Sequence, residues 1–296
     1  PCNTGSQNSR EICLIVLYLL SLIIKLFNFY AENLINDSFN YSNKAMFIDT
    51  HCHLTDDYVT GDLRDVIARA MDANVGIIVC PTADPADIPA AIKIANEYPN
   101  IFATIGIHPE YAGTDASQYL TDTVLTNPRV VGVGEIGLDY HERNDNRDAQ
   151  IRLFEQQLEL ARRHNLPVAI HTRDAEDDTA AILRGDVRGV MHCFTSSWNL
   201  AKTMLDRGFF FSASGILTFK NAAEIRETFS KIPVDRIVIE TDSPYCAPVP
   251  YRGKTCEPAF VTATARVLAD VKGISIDELE PILITNTMNL YPKMKI

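Results

Sequence analysis

From Met46 onward, short apolar runs alternate with amphipathic stretches, and this alternation leaves few folds open to the chain. The runs MFIDTH, GIIVCP, IFATIGIHP, VVGVGEIG, PVAIHT, GVMHCF, FFFSASG and RIVIETD read as eight strands. Between them, DLRDVIARAMDAN, PADIPAAIKIANEYP, AQIRLFEQQLELARRHN, AEDDTAAILRG, NLAKTMLDRG and AAEIRETFSKI read as helices. Branched strands separated by helices of about three turns specify parallel βα units, because a parallel neighbour is reached only through a crossover. Eight such units in about 250 residues, with no Pro/Gly-rich linker, favour one closed (β/α)8 TIM barrel over a doubly wound sheet. No Gly-rich nucleotide loop follows the first strand, which weakens a dinucleotide-binding alternative.

Residues 1–45 read differently and are treated as a leader, with the barrel assigned to 46–296. ICLIVLYLLSLII, residues 12–24, is an apolar stretch interrupted at Lys25, and it falls short of the roughly 20 residues that span a bilayer comfortably. Two readings stay open for this leader: non-native or disordered sequence, or a membrane-associated segment. In either case it is expected to be dispensable for chemistry.

A barrel makes a demand on the sequence, because its functional residues collect where the strands end at the βα loops. His51 and His53 end the first strand, and period-2 alternation puts both on one face. His108 follows the third strand, Glu135 ends VVGVG, His171 ends PVAI, His192 ends GVM, and Asp242 ends RIVIET. Only His141 and His164, of seven histidines, lie elsewhere.

His51, His53, Glu135, His171, His192 and Asp242 therefore form a set able to hold two divalent cations. Neutral imidazoles suit Zn and related ions, while carboxylates also accept Mn or Mg. Mg or Mn is expected to support activity, with Zn as a further candidate. Glu135 is the natural bridge, since its two oxygens can each face one ion. Asp242 is assigned two roles that can coexist, metal ligation and acceptance of a proton from the attacking water. His108, Arg173, Arg252 and Lys254 supply groups suited to phosphate. Asp49 orients an imidazole, supports the strand end or simply serves the turn, and Cys52 and Cys193 are read as packed thiols.

The formal charge of −11 disfavours a broad basic surface coating nucleic acid, yet a metal site supplies a positive field locally. Seven cysteines without a CxxC pair argue against a disulfide scaffold and for a reducing compartment. The location expected on that ground is cytoplasmic or nuclear, or membrane-associated if the apolar leader is native.

FIDTHCHL, GIHP, VGVGEIGLDY, VAIHTRDA, MHCFTSS, IETDSPYCAP and YRGK with CEP resemble, in order, the motifs of the TatD family of metal-dependent deoxyribonucleases. The resemblance covers residues 46–296. It implies a TIM barrel of the amidohydrolase-like group and divalent-metal hydrolysis of DNA, including 3'-to-5' exonuclease action. It also implies metal roles for His51, His53, Glu135, His171, His192 and Asp242, and a phosphate contact for His108. Two positions depart from the family pattern: Glu110 stands where a second histidine is common, and Cys256 where Asn is common.

The leading expectation is a deoxyribonuclease acting on single-stranded or frayed DNA ends, which enter a barrel mouth more easily than intact duplex. No dedicated protein partner is inferred. Two alternatives stay open: an amidohydrolase-like enzyme acting on a small amide or ester, and a non-catalytic barrel that binds nucleic acid or protein.

Overall fold

The computed structural model describes residues 46–55, 62–141 and 145–295. The leader assigned to 1–45, with its apolar stretch, lies outside the described residues. Among the described residues no helix is long and apolar enough to cross a membrane.

Eight parallel strands run in chain order around one sheet: β1 (Phe47–Asp49), β2 (Val75–Pro81), β3 (Ile101–Thr104), β4 (Val130–Asp139), β5 (Val168–Arg173), β6 (Gly189–Met191), β7 (Phe210–Ala213) and β8 (Ile237–Ile239). Each coincides with one of the runs read as strands, with β2 starting one residue earlier, β4 ending two residues later and β5 one residue later. The circuit closes just beyond the strand ends. Thr50 N–H donates to Ile239 O at 3.0 Å, Asp242 N–H donates to His51 O at 2.9 Å, and Cys52 bridges Ser243 in parallel. The expected (β/α)8 barrel is therefore the observed fold.

Strand alternation divides the apolar side chains between two cores. Ile48, Val79, Phe102, Val131, Ala169, Val190, Phe210 and Val238 pack together inside the barrel, and Leu290, Tyr291 and Met294 from the C-terminal end join them. Their neighbours, among them Phe47, Ile78, Ile101, Ile170, Phe211 and Ile239, belong to the cluster shared with the surrounding helices. Parallel strands covered on both sides carry near-continuous apolar sequence for this reason.

The crossovers are α1 (Leu63–Asp72), α2 (Ile88–Glu97), the short α3 (Asp122–Leu125), α4 (Arg147–His164), α5 (Glu176–Ile182), α6 (Trp198–Asp206) and α7 (Ala223–Lys231). Two further helices follow β8, α8 (Val261–Lys272) and α9 (Ile276–Leu290), beyond the alternation legible in the sequence. A capping box between Ser275 and Glu278 starts α9, and Gly273 in a left-handed conformation ends α8.

β4 is the longest strand and lies against β5 with a shift in register between Val133 and Ile136. Gly137, with φ +147°, lies so close to β5 that a β-carbon there would overlap the His171 carbonyl oxygen. Gly137→Ala is expected to cost about 3 kcal/mol or more, from backbone strain and displacement of β5 together. Urea unfolding of the two proteins checks this, and equal midpoints would refute it.

Candidate active site

β1 carries no catalytic side chain within its three residues; the chemistry starts immediately after it. Because the backbone beyond Asp49 stays tied to β2 and β8, alternation persists, and His51 and His53 turn to the same side with their Nε2 atoms 3.3 Å apart. Cys52, between them, is fully buried in the outer core, as expected of a packed thiol. Asp49 resolves to the strand-end role. Its Oδ1 accepts from Thr241 N at 2.9 Å and from His51 N at 3.3 Å, and its Oδ2 accepts from Thr241 Oγ1 at 2.6 Å. It thus ties the end of β1 to the end of β8 and orients no imidazole. Burial pushes its carboxyl up to about 8, against the Thr241 hydrogen bonds that lower it.

Glu135 lies in the middle of β4 and not at its end, and it is nearly fully buried. Its two oxygens face different partners. Oε2 is 3.4 Å from His51 Nε2 and 3.7 Å from His53 Nε2. Oε1 is 2.8 Å from His171 Nδ1, 3.1 Å from His192 Nε2 and 3.8 Å from His108 Nε2. Asp242 completes the first group, with Oδ1 at 3.8 Å from His51 Nε2 and 3.7 Å from His53 Nε2. Of the six residues expected to hold metal, four histidines thus converge on the Glu135 carboxylate, and Asp242 joins them through His51 and His53.

The electrostatics follow from this crowding. Burial, the largest influence, raises the Glu135 carboxyl, but His192, His171 and His51 together outweigh it and hold the group well below the usual carboxylate range. Asp242 is likewise held down: burial raises it, and the hydrogen bond from His53 and the nearby imidazoles prevail. Burial and then His192 push His51 down, and burial takes His108 down to about 4. His192 goes the other way, since Glu240 and Glu135 overcome its desolvation.

Two residues that sequence reasoning did not single out support the imidazoles. Asp139 Oδ2 is 2.9 Å from His171 Nε2, and Glu240 Oε1 is 3.0 Å from His192 Nδ1. Each occupies one ring nitrogen and leaves the other facing Glu135, which is how a carboxylate orients a ligating histidine. Period-2 spacing is the signal that would have found them. Asp139 stands four residues after Glu135 along β4, and Glu240 stands two before Asp242. Glu240 also accepts from Cys193 N at 2.6 Å.

Two buried glutamines of α4 brace the mouth from outside the barrel. Gln157 accepts from Ile107 N and donates to Ile107 O, next to His108. Gln150 does the same for Asp139 N and O. Backbone groups at the ends of β3 and β4 thereby gain partners that no neighbouring strand supplies.

The mouth opens into a cavity of about 830 Å³ lined by His53, His108, Glu135, His171, Arg173, His192, Asp242 and Tyr245, among others. His108 Nδ1 accepts from Glu110 N at 3.2 Å. In the neutral ring the proton then resides on Nε2, so His108 offers the cavity a donor where a metal ligand would need a lone pair. Glu110 lines the same cavity. Arg252 and Lys254 are not among its lining residues. Arg252 packs over the Phe219 ring and donates to Ala247 O, and Lys254 lies over Tyr251. Cys256 is buried, and its carbonyl accepts from Ser243 Oγ at 2.6 Å.

Two adjoining donor sets fit a pair of cations. His51, His53 and Asp242 form one group whose donor atoms lie within 4.8 Å of one another, and His51, Glu135 and His192 form another, the two sharing His51. A (β/α)8 barrel with such a centre at the C-terminal ends of its strands is a metal-dependent hydrolase. The sequence profile of the family described as TatD related DNase matches residues 48–292, and the chain belongs to that family.

Among its relatives, the uncharacterized metal-dependent hydrolase YabD of Bacillus subtilis is 38% identical over 252 residues, covering 83% of this chain and 99% of the relative. The uncharacterized metal-dependent hydrolase YcfH of Escherichia coli is 36% identical over 251 residues, covering 82% and 95%. The crystal structure of the Escherichia coli TatD homologue YjjV superposes with a TM-score of 0.77 at 29% identity, covering 83% of this chain and 98% of that one. A TatD family hydrolase from Entamoeba histolytica gives 0.74 at 26% identity, covering 86% and 100%.

Proposed function

We propose that this protein is a deoxyribonuclease that hydrolyses phosphodiester bonds at single-stranded or frayed DNA ends, removing nucleotides from the 3' end. The observation that carries the hydrolytic part is the division of the two Glu135 oxygens between two histidine groups. The family's description supports DNA as the substrate class.

His51, His53, Asp242 and one Glu135 oxygen would hold one cation, and His171, His192 and the other oxygen a second, with Mg or Mn as the activating ions. When bound, the pair supplies Lewis-acid polarisation of the phosphodiester and an acidified water nucleophile. The chain's own residues do the rest. Asp242 accepts the proton of the attacking water at its carboxylate, a role suited to a group ionised throughout the neutral range. His108 Nε2–H and the Arg173 guanidinium, both at the cavity wall, donate to the phosphate oxygens. Glu135 faces both imidazole groups and neutralises part of the charge between them. Arg252 and Lys254, outside the cavity lining, are left to guide the flanking strand by charge alone.

The test uses the purified chain with end-labelled single-stranded DNA, frayed and blunt duplexes and matched RNA, in Mg or Mn, with a chelator control. Stepwise shortening from the 3' end, abolished by chelator and restored by added metal, is the expected result. DNA left intact under every metal condition would overturn the proposal. Cleavage of small amides or esters without any phosphodiesterase activity would replace it with the amidohydrolase reading.

A further inference from the structure

A second cluster of donor atoms adjoins the first. Cys193, Asp242 and Cys246 each offer one ligand atom, and the three atoms lie within 4.8 Å of one another. The Cys246 thiol donates to Asp242 Oδ2 at 3.5 Å, and the two sulphurs lie within 4.8 Å of each other. Cys193 also donates to Ser214 Oγ at 3.1 Å. All three side chains line the mouth cavity, whereas Cys52, Cys80 and Cys256 are buried in the body of the protein. Cys193 is therefore more than the packed thiol that its place in the sequence suggested.

The local backbone is built for this convergence. Cys193, Asp242 and Cys246 have φ of 41°, 57° and 53°, left-handed values that are uncommon for residues other than glycine. Gly215 makes room, since a β-carbon there would overlap the Cys246 carbonyl oxygen. Asp242 stands between two sets of neighbours: Oδ1 faces His51 and His53, and Oδ2 faces Cys246.

We propose that Cys193, Cys246 and Asp242 form a binding site for a soft divalent cation of the Zn²⁺ or Cd²⁺ class, separate from the histidine-rich pair of sites and sharing only Asp242 with them. Thiolate donors select such ions over Mg or Mn. A tetrahedral zinc with Zn–S of about 2.3 Å and Zn–O of about 2.1 Å sets sulphur and oxygen roughly 3.6 Å apart. The Cys246 Sγ and Asp242 Oδ2 atoms already have that spacing. Binding breaks two S–H bonds, forms two metal–sulphur bonds and releases both protons to solvent, with no change in oxidation state. A cation held here engages the carboxylate that the histidine group needs, so Zn²⁺ or Cd²⁺ in excess slows metal-supported hydrolysis. That consequence rests on the hydrolytic reading, whereas the binding does not.

The experiment titrates the metal-free full chain, carrying Cys2→Ser and Cys13→Ser, with Cd²⁺ and follows the ultraviolet thiolate-to-cadmium charge-transfer band. The expected band saturates at one thiolate-bound cation per chain and is lost in Cys193→Ala and in Cys246→Ala. Alkylation with peptide mass spectrometry on the same chain without the alanine changes provides a reading that needs no further variant. Zn²⁺ or Cd²⁺ is expected to protect Cys193 and Cys246 together. Absence of the band, its survival in either alanine variant, or unchanged alkylation of both thiols would overturn the proposal. So would a non-reducing peptide map joining Cys193 to Cys246 as a disulfide. Band and protection without any DNA cleavage would leave this site standing and remove the nuclease reading; cleavage without them would do the reverse.

Discussion

Glu135→Ala is expected to abolish measurable hydrolysis, with a fall on the order of 10³-fold or more, and to empty both cation positions at once. No other side chain in the centre faces both histidine groups through separate oxygens. Removing it deletes a shared ligand and also the negative charge on which five imidazoles converge. Loss of several kcal/mol of transition-state stabilisation corresponds to that fold-change, at about 1.4 kcal/mol per factor of ten. A terminal histidine such as His53 serves one position only, so its alanine variant should recover part of its rate in excess metal. Metal content by elemental analysis and cleavage rates, both on proteins with the wild-type circular dichroism spectrum, check the comparison. Wild-type stoichiometry and rate in Glu135→Ala would sink the bridging assignment.

The second large effect is expected at Asp242. Its position differs from that expected of a strand end: β8 stops at Ile239, and Asp242 lies in the following turn in a left-handed conformation. What holds it is the N–H bond to His51 O, which ties it to the segment carrying two of the histidines. Asn adopts left-handed conformations as readily as Asp, so Asp242→Asn keeps the backbone while removing the negative charge and most of the basicity. Single-turnover cleavage should fall by roughly 10²-fold or more, with DNA affinity changed far less. Metal analysis then separates the two roles: lost metal makes ligation dominant, and retained metal with slow cleavage makes proton acceptance dominant. A mutant with normal metal, DNA affinity and single-turnover rate would have neither role.

The barrel and most of its centre were legible in the sequence because they depend on local periodicity. Branched apolar runs identify parallel strands whatever surrounds them, and polar residues recurring at the same end of strand after strand mark the mouth. His51 and His53 share a face by alternation alone. The same rule reaches Asp139 and Glu240, but only once Glu135 and Asp242 are known to point inward, and apolar patterning cannot say which buried acid supports which ring. The helices after β8 fell outside the strand–helix rhythm, since closing the barrel from below requires no further strand.

By itself, then, the order of residues determined the fold class, the number of strands and the six side chains that meet at the mouth, because each follows from periodicities of two and 3.6 along the chain. Only the tertiary structure decided how those side chains divide. Which Glu135 oxygen faces which histidines, that Asp49 ties β1 to β8, and that Arg252 and Lys254 turn away from the cavity depend on the shear of neighbouring strands and the packing of loops. The approach of Cys193 to Cys246 across 53 positions of sequence is of the same kind. Distances between residues remote in sequence are set by closure of the barrel, and no local pattern encodes them.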